Sequence, residues 1–245
     1  MFFCDPGVRV ESQIIRGGLF AASILNRLAD LAQPGSLVLD VGGNIGAYAI
    51  PLAKADASIE VHAFEPNPHA IARFKRNLRL NRVSNVRLHE IALGDRRTQL
   101  AFHAFARQDL EISSFIAPPL SENAPQLIDV EVAPLDELYR EDHRPISVIK
   151  MDVQGFEREV LLGAQGLVAT HRPAILFEHE DQNFTTAAQA DQAKRDLAGF
   201  FEEHGYGVFY ITRHDPDLLF PVAWQRPLLG DLLALPDAGG ATVAD

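Results

Sequence analysis

The chain has 245 residues, 47% of them hydrophobic, and a formal net charge of −11. That length suits one large α/β domain or two small ones, with ample apolar content for a buried core. The acidity disfavours phosphate backbones and anionic membrane surfaces as partners, and the single cysteine, Cys4, excludes an intrachain disulfide framework and a multi-cysteine zinc site.

No stretch is long and apolar enough to span a bilayer. The start, Met1-Phe2-Phe3-Cys4-Asp5, has neither a basic region nor a long apolar core. It does not read as a signal peptide, and a cytoplasmic location is expected. Residues 1–35 read as an extended lead-in from Asp5 to Arg16 and a helix from about Gly18 to Ala32. Phe20, Ile24, Leu28 and Leu31 give that helix one apolar face, and Gln33-Pro34-Gly35 stops it.

An apolar run, Leu37-Val38-Leu39-Asp40-Val41, then feeds the turn Gly42-Gly43-Asn44-Ile45-Gly46. A buried strand entering a glycine-rich turn and a helix N-terminus is a nucleotide-pocket pattern. The dinucleotide fingerprint fails, because Val41 stands where its first glycine would be. Asp40 would repel a pyrophosphate and attract a cationic ligand such as S-adenosylmethionine. Gly42, Gly43 and Gly46 let the backbone come close to it. Alone, the turn leaves a ligand site and a bare strand–helix turn equally open. A second strand, Ile59 to Phe64, ends at Glu65-Pro66-Asn67-Pro68. An acid roughly 20 residues past a glycine turn is where Rossmann-like sheets hold a ribose diol. Two acids at the ends of adjacent strands favour the ligand site.

The helix after the glycine turn contains Pro51, so a kink or a late start is expected. Asn67 and Pro68 open the next helix as cap and first residue. Ile71, Phe74 and Leu78 face inward there, and Arg73, Lys75, Arg76 and Arg79 form a solvated face. A third strand, Val86 to Ala92, ends beside the expected adenine position. Thr98 to Phe105 and Leu127 to Val132 alternate as strands. The polar stretch 106–126 between them reads as a substrate-side lid carrying Ser113, Ser114 and Phe115, with disorder as the alternative. Ile146 to Met151 is a fourth core strand, followed by a helix with Val160, Leu161 and Ala164 inward. Pro173 to Phe177 is a fifth strand, ending in Glu178-His179-Glu180-Asp181. A helix over 187–203 precedes a closing antiparallel pair, Tyr206 to Thr212 and Leu218 to Val222. The expected organisation is one domain over 1–235 and a disordered tail over 236–245. Strands alternating with helices argue a parallel α/β sheet whose rim gathers Asp40, Glu65, Asp152 and Glu178.

With these pieces in place the chain resembles class I methyltransferases, and more narrowly the FkbM family. The resemblance is carried by 40–46, by Phe64-Glu65-Pro66-Asn67-Pro68, by Arg76-Asn77-Leu78-Arg79-Leu80-Asn81 and by Ala92-Leu93-Gly94-Asp95. Leu135-Asp136-Glu137-Leu138, Leu162-Gly163-Ala164 and the strand from Ile175 to Glu178 also match. The most specific block is Ile149-Lys150-Met151-Asp152-Val153-Gln154-Gly155-Phe156-Glu157. The resemblance implies a Rossmann-like, seven-stranded, mostly parallel sheet with helices on both faces and an antiparallel last strand. It also implies S-adenosylmethionine as donor and a hydroxyl of a sugar, glycan or polyketide-like small molecule as acceptor. Gly43 stands where the family usually has alanine. Gln154 stands where it usually has glutamate, which leaves no carboxylate there for base or metal chemistry.

The expected cofactor-binding set is Asp40, Gly42, Gly43, Asn44, Gly46, Glu65, Pro66, Asn67, Ala92 and Asp152. An alcohol acceptor must lose its proton, which needs a general base or a metal. Asp152 is the first candidate, though it could instead bind the methionine amine or accept backbone bonds at its turn. His179 is the second. Lys150 reads as a buried partner of Glu157 or Glu178. Neighbours on an extended segment point to opposite sides, so the acids and histidine of 178–181 cannot share one ion, and no metal site is expected. His103, His204 and His214 read as ordinary histidines. A nucleobase methyltransferase is disfavoured because Met151-Asp152-Val153-Gln154 lacks a Pro-Pro-aromatic signature. A nicotinamide dehydrogenase is disfavoured by Val41 and Asp40. A non-catalytic module that binds cofactor or a partner is the alternative to catalysis. Oligomeric state has no signal in the sequence.

Overall fold

The computed structural model describes residues 19–106, 110, 112–116, 124–212 and 214–237, with Phe2, Cys4 and Ile14. Apart from Ile14, the lead-in expected over Asp5 to Arg16 lies outside the described residues, as do 238–245 of the expected tail.

Helix α1 (Ala22–Leu31) buries Ile24, Leu25 and Leu28. Strand β1 (Leu37–Val41) is buried on both faces, as a central strand of a parallel sheet must be. The turn after it delays α2 (Ala49–Ala55), so Pro51 falls in the first turn. A missing N–H has no cost at that place. Strand β2 (Glu60–Phe64) and α3 (Pro68–Asn81) follow, and the Asn67 side chain accepts from the His69 N–H at the helix start. The expected third strand is two: β3 (Val86–His89) stays in the main sheet, and β4 (Ala92–Leu93) leaves it. Strands β5 (Thr98–Ala104) and β6 (Gln126–Ala133) precede the short α4 (Leu135–Leu138). Next come β7 (Ile146–Met151), α5 (Glu157–Leu162), α6 (Gln165–His171), β8 (Ala174–Glu180), a 3-10 turn over Asp181–Asn183, and α7 (Ala187–Glu203). Strands β9 (Tyr206–Tyr210), β10 (Phe220–Pro221) and β11 (Leu229–Pro236) close the chain.

Among the described residues the main sheet has eight strands, not seven, in the order β10-β9-β11-β8-β7-β1-β2-β3. The extra member is the two-residue β10 on the edge of β9. The closing pair is therefore present, but β11 pairs antiparallel with both β8 and β9 and separates them. Pro236, the first residue of the expected tail, pairs with Tyr206 in this strand. A second sheet, β4-β6-β5, stands apart. Alternation along β1 sends Leu37, Leu39 and Val41 into a core shared with α4 to α7, while Val38 joins α1, α2 and Phe74 of α3. Helices thus cover both faces. Strand β1 is flanked by β7 and β2, both parallel to it. The chain reverses its winding there, and the crevice beyond the carboxyl ends of such strands is where ligands bind.

Candidate active site

The site begins where β1 ends. Gly42 (φ +74°) sits so close to β7 that a Cβ there would lie 2.0 Å from the Asp152 carbonyl oxygen. Only glycine allows the two strand ends to approach this closely. The Gly42 and Gly43 N–H groups both donate to the Phe64 carbonyl at 3.0 Å. The Asn77 side chain, buried on α3, donates to the Ile45 carbonyl at 3.0 Å. The turn is therefore pinned from three sides.

Two cavities meet over it. The narrower one runs past Phe64, Glu65, Pro66 and Ala92, with Phe102, Phe115 and Phe156 as an aromatic wall. Phe115 lies 4.5 Å from Phe156 and 5.1 Å from Phe102, centroid to centroid. The wider one, a cleft of about 270 Å³, is lined by Tyr48, Lys150, Glu178, Glu180 and Asp231 among others. Gly42, Asn44, Asp152 and Gln154 line both.

Glu65 is buried in the wall of the narrow cavity. Its Oε1 accepts the Asn67 N–H and its Oε2 the Asn44 N–H, each at 2.8 Å. Burial pushes its pKa up to about 7, against the pull of those two bonds. A carboxylate held this way still has lone pairs for a vicinal diol. Asn44 Oδ1 is buried and has no hydrogen-bond partner among the described residues. An acceptor without a partner at the junction of two cavities suits a ligand that brings donors.

Four expected site residues, Asp40, Gly46, Asn67 and His179, line neither cavity. Asp40 is fully buried below the turn, where it accepts from the Ala49 N–H at 3.1 Å and pairs with Lys150 at 3.2 Å. Lys150 thus forms an ion pair with Asp40 and not with Glu157, while the Glu178 charge also acts on it. Its ammonium also donates to the Gly42 carbonyl at 3.0 Å and lies 5.0 Å from the Tyr48 ring centroid. Burial works against that charge, but Asp40 and Asp152 outweigh it and raise the Lys150 pKa. Gly46 (φ +85°) packs against Phe74. Asn67 is buried, and its amide donates to the Phe105 carbonyl and to Ser113 Oγ. His179 lies on the face of β8 opposite Glu178 and Glu180. It is buried, both ring nitrogens lack a hydrogen-bond partner among the described residues, and burial pushes its pKa down to about 4. Glu157, read from the sequence as a structural partner for Lys150, also lies outside both cavities. It accepts the Gly155 N–H at 3.1 Å and closes the turn after β7, with its pKa raised by burial to about 7.

Of the stretch read as a lid, 106–126, residues 107–109, 111 and 117–123 lie outside the described residues. Leu110, Ser113 and Phe115 line the narrow cavity, and Ile112 lines the cleft. Ser113 Oγ accepts from Asn67 and from the Phe105 N–H and donates to the Leu110 carbonyl. Asn67 and Ser113 thereby join this segment to the start of α3. Among the described residues, no group of three or more His, Cys, Asp or Glu side chains is placed to hold a metal ion.

The methyltransferase FkbM domain family matches this chain over residues 40–208. The chain belongs to the FkbM methyltransferase family. Among relatives of this chain, the 2-O-methyltransferase NoeI of Sinorhizobium fredii is 31% identical over 70% of this chain and 74% of its own length. The 31-O-demethyl-FK506 methyltransferase FkbM of Streptomyces tacrolimicus is 25% identical over 84% of this chain and 85% of its own. The FkbM methyltransferase structure from Methylobacillus flagellatus KT superposes with a TM-score of 0.52 at 16% identity, over 86% of this chain and 50% of that one. The precorrin-6y C5,15-methyltransferase of Geobacter metallireducens GS-15 gives 0.50 at 13% identity, over 96% and 94%. These structures share the fold. No helix among the described residues is long and apolar enough to cross a membrane.

Proposed function

We propose that this FkbM methyltransferase uses S-adenosylmethionine to methylate a hydroxyl of a sugar, glycan or polyketide-like small molecule. The observation that carries the reading is the pair of cavities joined at Gly42, Asn44, Asp152 and Gln154. One is narrow and aromatic-walled with an inward carboxylate, and the other is wide and polar. A nucleoside suits the first and a hydroxylated acceptor the second. The two relatives named as O-methyltransferases support the oxygen acceptor.

In this reading Glu65 accepts the ribose hydroxyls, and Phe115 and Phe156 enclose the base. Gly42 and Gly43 bring the backbone against the methionine arm. When bound, the cofactor supplies an activated methyl: its carbon–sulfur bond breaks as the methyl–oxygen bond forms, and sulfur keeps the electron pair. Asp152 is the base in this mechanism, because among the described residues it is the carboxylate common to both cavities. It takes the proton that the acceptor hydroxyl releases. Catalysis otherwise consists of holding two partners in line and keeping water out.

Calorimetric titration with S-adenosylhomocysteine tests the cofactor, with NADH as control. Saturable one-site binding of the former alone is expected. A folded protein that binds neither, or binds NADH, sinks the reading. Transfer of labelled methyl to simple glycosides and secondary alcohols tests the acceptor class.

A further inference from the structure

Among the described residues four are common to both cavities, so a group passing from one to the other passes beside them. Gly42 has no side chain to offer. Asp152 is fixed through its backbone: its N–H donates to the Val41 carbonyl at 3.0 Å, and its own carbonyl abuts Gly42. Its carboxylate remains to be oriented, and Gln154 does this. The Gln154 Nε2 donates to Asp152 Oδ1 at 2.6 Å and lies 3.5 Å from Glu178 Oε2 across the cleft.

The backbone of Gln154 supports a special placement. Its φ is +53°, a left-handed conformation that a residue with a side chain adopts at a cost. Gly155 follows at φ +95°, and Glu157 holds its N–H from beyond. Such strain persists where the surroundings enforce it, and it concentrates at functional sites. Lys150 does not do the clamping, since it is engaged with Asp40 and the Gly42 carbonyl. A neutral amide orients a carboxylate without cancelling its charge, which an ammonium would do.

We propose that Gln154 is a positioning residue: its amide holds the Asp152 carboxylate at the neck between the cavities, facing the donor's positive charge. The inference rests on the cofactor reading above. A fixed carboxylate beside a sulfonium favours the charged donor over its neutral product. Donor and product would then be told apart at this one contact.

The test needs no acceptor. S-adenosylhomocysteine carries a neutral sulfur. Sinefungin carries an amine-bearing carbon in the same place. Calorimetry on the full chain should show sinefungin binding more tightly by about tenfold, the change expected of one charge-assisted contact. Gln154→Met keeps the length and loses the amide. It should leave S-adenosylhomocysteine affinity within about threefold and remove most of the sinefungin advantage. Gln154→Gly relaxes the left-handed backbone and also loses the amide, so the same loss assigns the effect to the side chain. Asp152→Asn should remove the advantage entirely. Melting curves confirm that each variant is folded. A Gln154→Met protein that keeps the full advantage overturns the proposal. So does one that loses both ligands equally, which is what a merely structural role would give. A wild-type protein that binds S-adenosylhomocysteine with no preference for sinefungin also overturns it and leaves the cofactor reading intact. A wild-type protein that binds neither overturns both.

Discussion

The buried pair of Asp40 and Lys150 allows a sharp separation of fold from ligand binding. Asp40 is fully buried and lines neither cavity, while Lys150 sits 3.2 Å away with its ammonium buried. Asp40→Asn keeps the volume and an acceptor for the Ala49 N–H but leaves the ammonium without its counter-charge. Breaking a buried pair from one side costs about 3–5 kcal/mol. A chain of this size loses roughly 2–4 °C of melting temperature per kcal/mol, so a fall of about 6–20 °C is expected. Adding Lys150→Met removes the orphaned charge. The double variant should recover most of the loss, with a coupling of about 2 kcal/mol or more. Thermal unfolding followed by circular dichroism measures all four corners of the cycle. Calorimetry well below the melting point should find S-adenosylhomocysteine affinity in Asp40→Asn within about threefold of wild type. A variant that melts like wild type but loses cofactor would refute the reasoning and make Asp40 a ligand residue.

Glu65 should make cofactor binding depend on pH. Its pKa is raised to about 7, and a diol needs the ionised acceptor, so affinity for S-adenosylhomocysteine should be about tenfold weaker at pH 6 than at pH 8.5; a flat profile would argue against Glu65 as the ribose acceptor. The sign for stability is opposite. A carboxyl whose pKa is higher folded than unfolded stabilises the fold while protonated, so its contribution falls as pH rises from about 4.5 through about 7. Urea unfolding of Glu65→Gln should show a shallower decline over that range than wild type, with Glu157 retained as the second raised carboxyl. Gly42→Ala places a methyl 2.0 Å from the Asp152 carbonyl and should abolish cofactor binding. Gly35→Ala, also at positive φ but with nothing within 4 Å, should cost about 1–2 kcal/mol and leave affinity unchanged. His179→Leu should leave cofactor affinity unchanged and hold or raise the melting temperature, because it removes two ring nitrogens that have no hydrogen-bond partner; a loss of methyl transfer in the folded variant would restore His179 as a base.

Elements with a strong local signal were legible. The apolar run of β1, the cap and proline of α3 and the 187–203 helix need only neighbours in sequence to be recognised. What the sequence hid was long-range. Strand β11 carries Gly230 at φ +112°, an acid, and at its end Pro236, where the expected tail begins, and none of these is a strand signal. Its apolar stretch, Leu232 to Ala234, is wholly buried because β8 and β9 lie on either side, and no periodicity within eight residues announces two partners. Strand β4 is two residues long and pairs parallel with β6. A segment that short reads as the end of the strand before it.

The candidate site divides along the same line. Glu65 and Asp152 follow motifs at strand ends, and both line the cavities. Asp40 stands on a motif too, yet its environment is set by register: it lies beside Lys150 across the β1–β7 pairing, 110 positions along the chain. The match of an acid with a lysine appears only once the strand order is known. His179 is different, because the signal was present. Glu178 and Glu180 face the cleft, so simple alternation along β8 sends the histidine between them to the other side. The alternation that argues against a shared metal ion among those residues also puts His179 on the face away from the cleft. That leaves Asp152, placed at the neck by the approach of β7 to a glycine with no side chain, as the one carboxylate among the described residues that lines both cavities.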